Sequence, residues 1–346
     1  MLSGKTRKNG LKKIIIPLLL VLMCAFSVSA SPPVFHGKKM LLRVGYVPIV
    51  TQLPLIMSFD RDRFAYQYVD VKLVKYHSLT ALEAAFRISA VDVAMLPLPI
   101  ILAMNEDSID VRIIGSTSRG GSRLFVRKKY SDFKSAIIGV PDLYSNEHFQ
   151  LIHFLAGKYL KYGTDYKVIN IPLQSLLNDL TQEKIDGAFF PEPYPTLALD
   201  RLGAVNGTVA ELSKQYSVVY SVLAIKGNLL TDQCRNGVRE WLESVKSATF
   251  RIAESLSFFG GEQEAVTQMR YFGFDRDLFR KSLKAIREGS SFRFENISMS
   301  FVHHISRDMQ RLQLLAVPGD LNRLPVQILQ PDKGRAMSHE TGKHKD

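Results

Sequence analysis

Two stretches of this chain have the same layout at a constant offset. Five pairs of residues of matching type lie 94 residues apart: Gly45 and Gly139, Asp92 and Asp186, Ala94 and Ala188, Pro97 and Pro191, Pro99 and Pro193. The pairs occur in both the first and the last predicted strand of each stretch. This arrangement indicates two similarly built units, which restricts the chain to folds made of a duplicated module.

Apolar runs and helical spacings define the content of each unit. Strands are predicted at 41–47, 69–76, 91–96 and 111–115 in the first unit, and at 136–140, 166–171 and 187–190 in the second. Apolar residues at helical spacing lie between them, with one helix beginning near Ser145. Strands that alternate with short helices are typical of a parallel α/β sheet. One more strand is predicted at 218–225, and the chain after it is predicted to be helical without further strands.

The ends of the predicted strands contain most of the polar candidates for a binding site, because α/β sheets bind ligands at the carboxyl ends of their strands. The candidates are Tyr46, Thr51, Gln52, Ser78, Thr80, Thr117, Ser118, Tyr144, Ser145, His148, Glu192 and Tyr194. Ser116 to Gly121 is interpreted as a flexible polar loop. Each serine or threonine has a second interpretation as a helix N-cap. His148 has a second interpretation as a capping or solvated histidine. Glu192 is held between two prolines at a strand end, which favours a role in a cleft.

The first thirty residues have the features of a secretory signal peptide. Five basic residues without an acid precede an apolar run at 14–23, and Val28-Ser29-Ala30 is a small-residue cleavage site. The predicted signal peptide is 1–30, so the protein is expected in the periplasm with Ser31 as its first residue. Two alternatives are a retained short anchor and lipidation at Cys24, although the residues before Cys24 are large. Cleavage after Ala30 leaves Cys234 alone, which excludes an internal disulfide.

Charge and composition exclude several classes of function. The net charge is +12, and removing the five basic residues of the lead leaves +7. No basic stripe with interleaved aromatics is present, so nucleic acid is not an expected partner. No nucleophile elbow, phosphate-binding loop or zinc-protease motif occurs, and neither a cofactor nor a metal is predicted. The polar tail at 331–346 is predicted to be disordered.

Several segments together resemble a known family. They are 43–48, 92–99, 116–128, 138–141 with 144–148, and 185–193. In this order and spacing, the chain is similar to the periplasmic solute-binding proteins of the nitrate, bicarbonate, sulfonate and taurine ABC importers, including the related pyrimidine-precursor binders. The chain departs from some members in having a single tryptophan, Trp241, on a late helix and none in the predicted cleft.

The resemblance implies an α/β, two-lobed periplasmic binding protein type 2 fold with a ligand cleft between the lobes. Lobe one would be 41–123 plus 222–320 and lobe two 129–217, with crossings at 124–128 and 218–224. The implied protein is a monomeric, non-enzymatic component of an ABC importer that binds a small-molecule ligand and then the permease in the inner membrane. Two alternatives stay open: an enzyme of cofactor biosynthesis on the same fold, and an exported ligand-sensing domain.

The candidates also bear on the ligand. Ser78 and Ser145 stand at predicted helix starts, where backbone N–H groups favour negative charge. Glu192 acts against a bare anion unless it is protonated or pairs with an amino group of the ligand. The sequence therefore predicts a small polar ligand that is anionic or zwitterionic.

Overall fold

Two β-sheets organise the computed structural model, which describes residues 32–210, 221–258, 262–289 and 291–328. The first sheet contains β1 (Phe35–His36), β2 (Lys39–Tyr46), β3 (Val69–Lys75), β4 (Val93–Leu96), β5 (Val111–Arg119), β11 (Val222–Lys226) and β12 (Ser291–Glu295). The second contains β6 (Ser122–Arg127), β7 (Ile137–Val140), β8 (Lys167–Asn170), β9 (Gly187–Pro191) and β10 (Gly207–Ala210). The predicted signal peptide, Cys24 and the predicted disordered tail lie outside the described residues.

Strand order is similar in the two sheets. The first runs β1-β2-β4-β11-β5-β12 with β3 on β2, and the second runs β10-β6-β9-β7-β8. In each sheet, three strands of the predicted α/β series run parallel, and a strand from elsewhere in the chain joins them antiparallel. The predicted parallel α/β organisation is confirmed.

Eleven helices of the described residues pack around the sheets. They are α1 (Leu53–Asp62), α2 (Leu79–Arg87), α3 (Leu98–Glu106), α4 (Asn146–Ala156), α5 (Leu173–Thr181), α6 (Tyr194–Asn206), α7 (Asp232–Leu256), α8 (Gln263–Val266), α9 (Met269–Phe272), α10 (Arg276–Gly289) and α11 (Met299–Arg311). Below, the first lobe means the first sheet with α1–α3 and α7–α11, and the second lobe means the second sheet with α4–α6. The predicted lobe ranges, 41–123 with 222–320 and 129–217, stay predictions.

The 94-residue repetition corresponds to equal construction in the two sheets. Gly45 of β2 lies opposite Ala94 of β4, and Gly139 of β7 lies opposite Ala188 of β9. The carboxylate of Asp92 accepts from the backbone N–H of Arg43 at 2.8 Å, and that of Asp186 accepts from Ile137 at 2.9 Å. Each aspartate therefore ties the start of one strand to the parallel strand beside it in the sheet, in the same register in both sheets.

The paired glycines allow a helix to pack directly on the strand. A Cβ atom on Gly139 would stand 2.5 Å from Cδ2 of Leu176 on α5, and one on Gly45 would meet Cδ1 of Leu82 on α2 in the same way. Leu82 and Leu176 are themselves 94 residues apart. The repetition thus extends from the strands to the helices that cover them.

The chain passes from the first sheet to the second at Gly120 and Gly121. Their φ angles are +68° and +97°, in the region that glycine adopts without a steric penalty. The predicted crossing at 124–128 was too late, because β6 pairs along its length with β9 and β10. The return connection includes residues outside the described ranges, and Val222 to Ala224 already belong to the first sheet.

The prediction that the chain after residue 225 is entirely helical was wrong. β12 pairs antiparallel with β5, and Phe292 lies opposite Ser118. Glu295 also accepts two hydrogen bonds from Arg119, at 2.7 Å from Nε and 2.7 Å from Nη2. A five-residue strand flanked by long amphipathic helices has too short an alternation to stand out in the sequence.

The late helices contribute to the core of the first lobe. Trp241 on α7 is 1% exposed and packs with Met40, Leu42 and Val93 beneath the first sheet. Its burial there explains why the single tryptophan is unavailable to a cleft. Asp275 caps the start of α10, since its carboxylate accepts from the N–H of Leu278 at 2.9 Å.

Among the described residues, none of the helices combines the length and the apolar character that crossing a bilayer requires.

The close approach at Gly139 gives a prediction about stability. Gly139→Ala should lower the free energy of unfolding by about 1–3 kcal/mol, because the added methyl group overpacks against Leu176. In a Leu176→Ala background the same substitution should cost at least about 1 kcal/mol less, since neighbouring residues couple. Urea unfolding of the four proteins in this cycle measures the difference.

Leu180→Ala is the matched control, because Leu180 is a buried leucine of the same helix that is not among the nearest neighbours of Gly139. Gly139→Ala should keep its full cost in that background. Equal costs in all three backgrounds would contradict the packing described here.

Candidate ligand-binding cleft

The carboxyl ends of the parallel strands in the two sheets face each other. The loop after β2 meets the loop after β9, where the N–H of Val50 donates to the backbone oxygen of Glu192 at 2.9 Å. The Thr80 hydroxyl at the start of α2 lies 3.4 Å from the Asp142 carboxylate, which follows β7. These contacts join the two sheet edges where α/β sheets bind ligands.

Further contacts connect the lobes around these edges. The Tyr144 hydroxyl of the second lobe donates to the backbone oxygen of Leu314 at 3.1 Å. The Tyr194 ring is 8% exposed and stands edge-on to Phe274 of the first lobe, with 5.8 Å between centroids. Burial raises the pKa of Tyr194 to about 12. Tyr144, Tyr194 and Thr80 therefore lie at the boundary of the two lobes, and their contact with a ligand stays a prediction.

Thr51 and Ser118 supply unpaired hydroxyl groups on the first-lobe side. They are 1% and 2% exposed, and neither hydroxyl has a hydrogen-bond partner among the described residues. Thr51 belongs to a short turn that contacts β5, the strand that contains Ser118. An unpaired buried hydroxyl costs about 1–3 kcal/mol, so two of them indicate a place for a polar solute or water.

The Gln52 side chain forms hydrogen bonds near the ends of two strands at the same sheet edge. Its amide oxygen accepts from the N–H of Val47 at 2.9 Å, and its amide nitrogen donates to the backbone oxygen of Met95 at 3.2 Å. The side chain thereby holds the end of β2 against the end of β4. The structure places Gln52 at the cleft but gives its amide a role in positioning the walls.

Ser116 to Ser118 lie within β5, which ends at Arg119, and the prediction that they lie in a flexible loop was wrong. The Ser116 hydroxyl donates to the backbone oxygen of Ser221 at 2.7 Å. The Thr117 hydroxyl lies 3.6 Å from the sulfur of Met95, a weak acceptor. The Ser221 hydroxyl is buried without a partner among the described residues, and sequence reasoning missed this position. A serine before a strand has no signal that distinguishes it from other serines.

Three other candidates use their polar groups within the protein. The Tyr46 hydroxyl donates to the backbone oxygen of Tyr271 at 3.0 Å, and burial raises its pKa to about 12. Ser78 accepts from the N–H of Ala81 at 3.1 Å, and Ser145 accepts from the N–H of His148 at 3.3 Å. Both serines are thus N-caps, the second of the two interpretations that the sequence allowed.

The start of α4 contains a donor that the sequence analysis missed. Asn146 follows the cap residue Ser145 and is 3% exposed, and its amide nitrogen has no partner among the described residues. It lines a cavity of about 290 Å³ between α4 and α11. Its position next to Ser145 was the available signal, although an asparagine at a helix start is usually interpreted as part of the cap.

His148 is directed into the second lobe. Its Nδ1 lies 2.7 Å from the backbone oxygen of Leu143, and its ring stands edge-on to Phe149 and Tyr162. A carbonyl oxygen only accepts, so Nδ1 has the proton. Burial lowers the pKa of His148, which favours the neutral imidazole, and the bond to Leu143 opposes that shift. The structure gives this histidine a contact that fixes the loop before α4.

Glu192 forms an ion pair with Arg123 of β6. The Nε of Arg123 donates to the carboxylate at 2.6 Å, and its Nη2 donates to the Thr196 hydroxyl at 2.7 Å. Burial raises the pKa of Glu192, and the Arg123 guanidinium opposes that shift. The carboxylate therefore does not present an uncompensated negative charge to the cleft. Arg123 was missed because it precedes Glu192 by 69 residues.

Comparisons with known proteins agree with this architecture. A model of the NMT1-like family matches residues 36–255. A ligand-binding component of an ABC-type import system from Staphylococcus aureus, solved with zinc bound, is similar in structure at a TM-score of 0.71 and 18% identity, over 83% of this chain and 96% of that one. No curated protein matches the sequence.

Two further solved structures have the same organisation. The periplasmic nitrate-binding protein from Synechocystis PCC 6803 has a TM-score of 0.70 at 13% identity, over 84% of this chain and 85% of that one. The periplasmic aliphatic sulphonate-binding protein from Escherichia coli has a TM-score of 0.65 at 14% identity, over 82% and 97%. The predicted two-lobed periplasmic binding protein fold is confirmed.

The neutral, buried state of His148 predicts a pH dependence. Below about pH 6.5 the unfolded chain binds a proton at this residue that the folded chain does not. Stability should therefore fall as the pH drops from 6.5 toward the lowered pKa in the folded state, by up to about 1.4 kcal/mol per pH unit. In His148→Gln, the part of the stability loss that this histidine causes should be absent. Urea unfolding at a series of pH values between 5 and 8 measures it.

The exposed His77 provides the control, and His77→Gln should leave the pH profile as it is in the wild type. Parallel profiles for wild type and His148→Gln would show that the histidine is not held neutral.

Proposed function

This chain belongs to the NMT1-like family, and from that premise we propose that it is an exported solute-binding protein that delivers a small molecule to an ABC importer. The observation that carries the proposal is the pair of facing sheet edges with the buried, unpaired polar groups of Thr51 and Ser118. The solved structures similar in fold are named as binding components of import systems or as periplasmic binding proteins. Those names support binding over the enzymatic alternative.

The solute is small and polar, and it is anionic or zwitterionic. The hydroxyl groups of Thr51 and Ser118 are neutral donors suited to the oxygen atoms of such a molecule. Because Glu192 is paired with Arg123, its charge does not oppose an anion. Two similar structures are named for nitrate and for aliphatic sulphonates, which are small oxyanions.

Closure of the lobes on the solute provides the signal for transport. The contacts of Val50 with Glu192 and of Tyr194 with Phe274 require the two edges to be together. Gly120 and Gly121 connect the sheets and have the backbone freedom that a hinge needs. A solute that contacts both edges favours the closed form, and the permease recognises that form.

Export completes the proposal. The lead at 1–30 directs the chain to the periplasm, where it acts as a monomer and meets the permease at the inner membrane. Under this proposal the protein isolated from the periplasm begins at Ser31, whereas a lipid-modified start at Cys24 would anchor the same function to the membrane.

The unpaired hydroxyls give the test. The solute is first identified by mass spectrometry of small molecules retained by the exported protein. Calorimetry with that solute should then show about 2- to 10-fold weaker binding for Thr51→Val and for Ser118→Ala, since each removes one neutral hydrogen bond of about 0.5–1.5 kcal/mol. Unfolding stability without solute should not decrease, because neither hydroxyl has a hydrogen-bond partner in the part of the chain that the structure describes.

Thr249→Val and Ser282→Ala are matched controls in the same lobe. Both residues are fully buried, but their hydroxyls donate to carbonyls of their own helices, at 2.7 Å to Val245 and 2.9 Å to Leu278. These variants should keep the wild-type affinity. Unchanged affinity in Thr51→Val and Ser118→Ala would place the site elsewhere.

A further inference from the structure

Three potential metal ligands from the two lobes meet between α4 and α11. The Nε2 of His153 lies 2.9 Å from Oδ2 of Asp308, and the Nε2 of His304 lies 3.5 Å from the same oxygen. The three ligand atoms all lie within 4.8 Å of one another. The two imidazole rings stack at 6.2 Å between centroids with 20° between their planes.

Helix geometry explains why two of the three ligands lie together. His304 and Asp308 are four residues apart on α11 and so project from the same face. His153 belongs to α4 of the second lobe and reaches the pair only because the lobes are in contact. No sequence motif indicates a metal site here, since His153 precedes the other two ligands by about 150 residues.

We propose that His153, His304 and Asp308 bind a divalent transition metal ion, with Zn²⁺ the best match. Two imidazole nitrogens and one carboxylate oxygen are a ligand set that zinc accepts in tetrahedral geometry. Zinc ligands at about 2.0–2.1 Å from the ion stand about 3.3 Å apart. The present distances of 2.9 and 3.5 Å to Asp308 bracket that value, so small side-chain rotations make room for the ion.

The surroundings of Asp308 suit a ligand. Its side chain is only 5% exposed, and its Oδ1 lies 3.3 Å from Nη1 of Arg311. That contact holds the carboxylate while Oδ2 faces the two histidines. Second partners of this kind fix the orientation of a metal ligand.

The cavity next to the cluster has space for a fourth ligand. It has a volume of about 290 Å³, and both His153 and His304 line it together with Asn146 and Gln150. The amide nitrogens of Asn146 and Gln150 are buried and have no partner among the described residues. Three protein ligands leave one coordination position for water or an oxyanion, and these two amides can donate to it.

A metal ion here would link the lobes. One ligand belongs to the second lobe and two belong to the first, so binding of the ion favours the closed form by mass action. This link does not depend on the solute of the proposed transport function. The two proposals therefore succeed or fail separately when zinc binding is measured on protein without solute.

Zinc titration of the untagged protein tests the site. The background is His339→Gln/His344→Gln, which removes the two imidazoles of the C-terminal tail. Calorimetry with Zn²⁺ should show one ion per chain, and Co²⁺ in its place should give the intense visible d–d bands of a tetrahedral site. His153→Gln and His304→Gln should each weaken zinc binding at least 10-fold.

His303→Gln is the matched control, because His303 is the exposed neighbour of His304 on the same helix and is outside the cluster. It should bind zinc like the background protein. Thermal unfolding in a chelator checks that all variants are folded. Absence of zinc binding, an equal effect of His303→Gln, or an effect of His304→Gln without one of His153→Gln would overturn the proposal.

Discussion

The burial of two polar sheet edges against each other is the constraint on which the site depends. Parallel strands bring polar side chains to their carboxyl ends, and the second lobe covers those of the first. A buried polar group without a hydrogen bond is costly, so each must find a partner in the protein or in a bound molecule. Gln52 and Ser116 find theirs in backbone carbonyl and N–H groups. Thr51 and Ser118 have no such partner among the described residues, which is why we propose that a solute binds there.

Internal repetition explains why two such edges exist. Asp92 and Asp186 anchor equivalent strand pairs, and Gly45 and Gly139 admit equivalent helices. The two lobes differ in the polar side chains at their sheet edges. The second lobe adds the Arg123–Glu192 pair at its edge, whereas the first adds hydroxyl groups. One module used twice therefore gives a cleft with two chemically different walls.

Much of the fold could be predicted from local patterns. The strand at 136–140 is a continuous apolar run, as expected for a parallel strand that is buried on both faces. The strands at 41–47 and 69–76 instead alternate buried and more exposed positions and include charged residues. All three correspond to observed strands. Ser145 was predictable as a helix start because capping is a local interaction. Whether its hydroxyl caps the helix or contacts a ligand could not be predicted, since that depends on which groups of the folded protein face the side chain.

Contacts between residues far apart in the chain could not be predicted from the sequence. Arg123 neutralises Glu192 across two antiparallel strands, and β12 joins the sheet from a helical region. The His153–Asp308 contact connects residues on different lobes. None of these has a periodic or spacing signal, because the partners become neighbours only when the chain is folded. Only the structure therefore separates the predicted binding residues whose polar groups bond within the protein from those whose polar groups are unpaired.

The distance between the lobes tests the central claim, closure on a solute, most directly. Spin labels on Lys72→Cys and Lys167→Cys allow this distance to be measured by pulsed electron paramagnetic resonance. The two positions are exposed and lie on opposite lobes, and Cys234 is buried. If the lobes close on the solute that mass spectrometry identifies, the distance distribution should be broad without that solute and narrow and shifted with it. An identical distribution in both states would contradict closure as the means by which this protein binds.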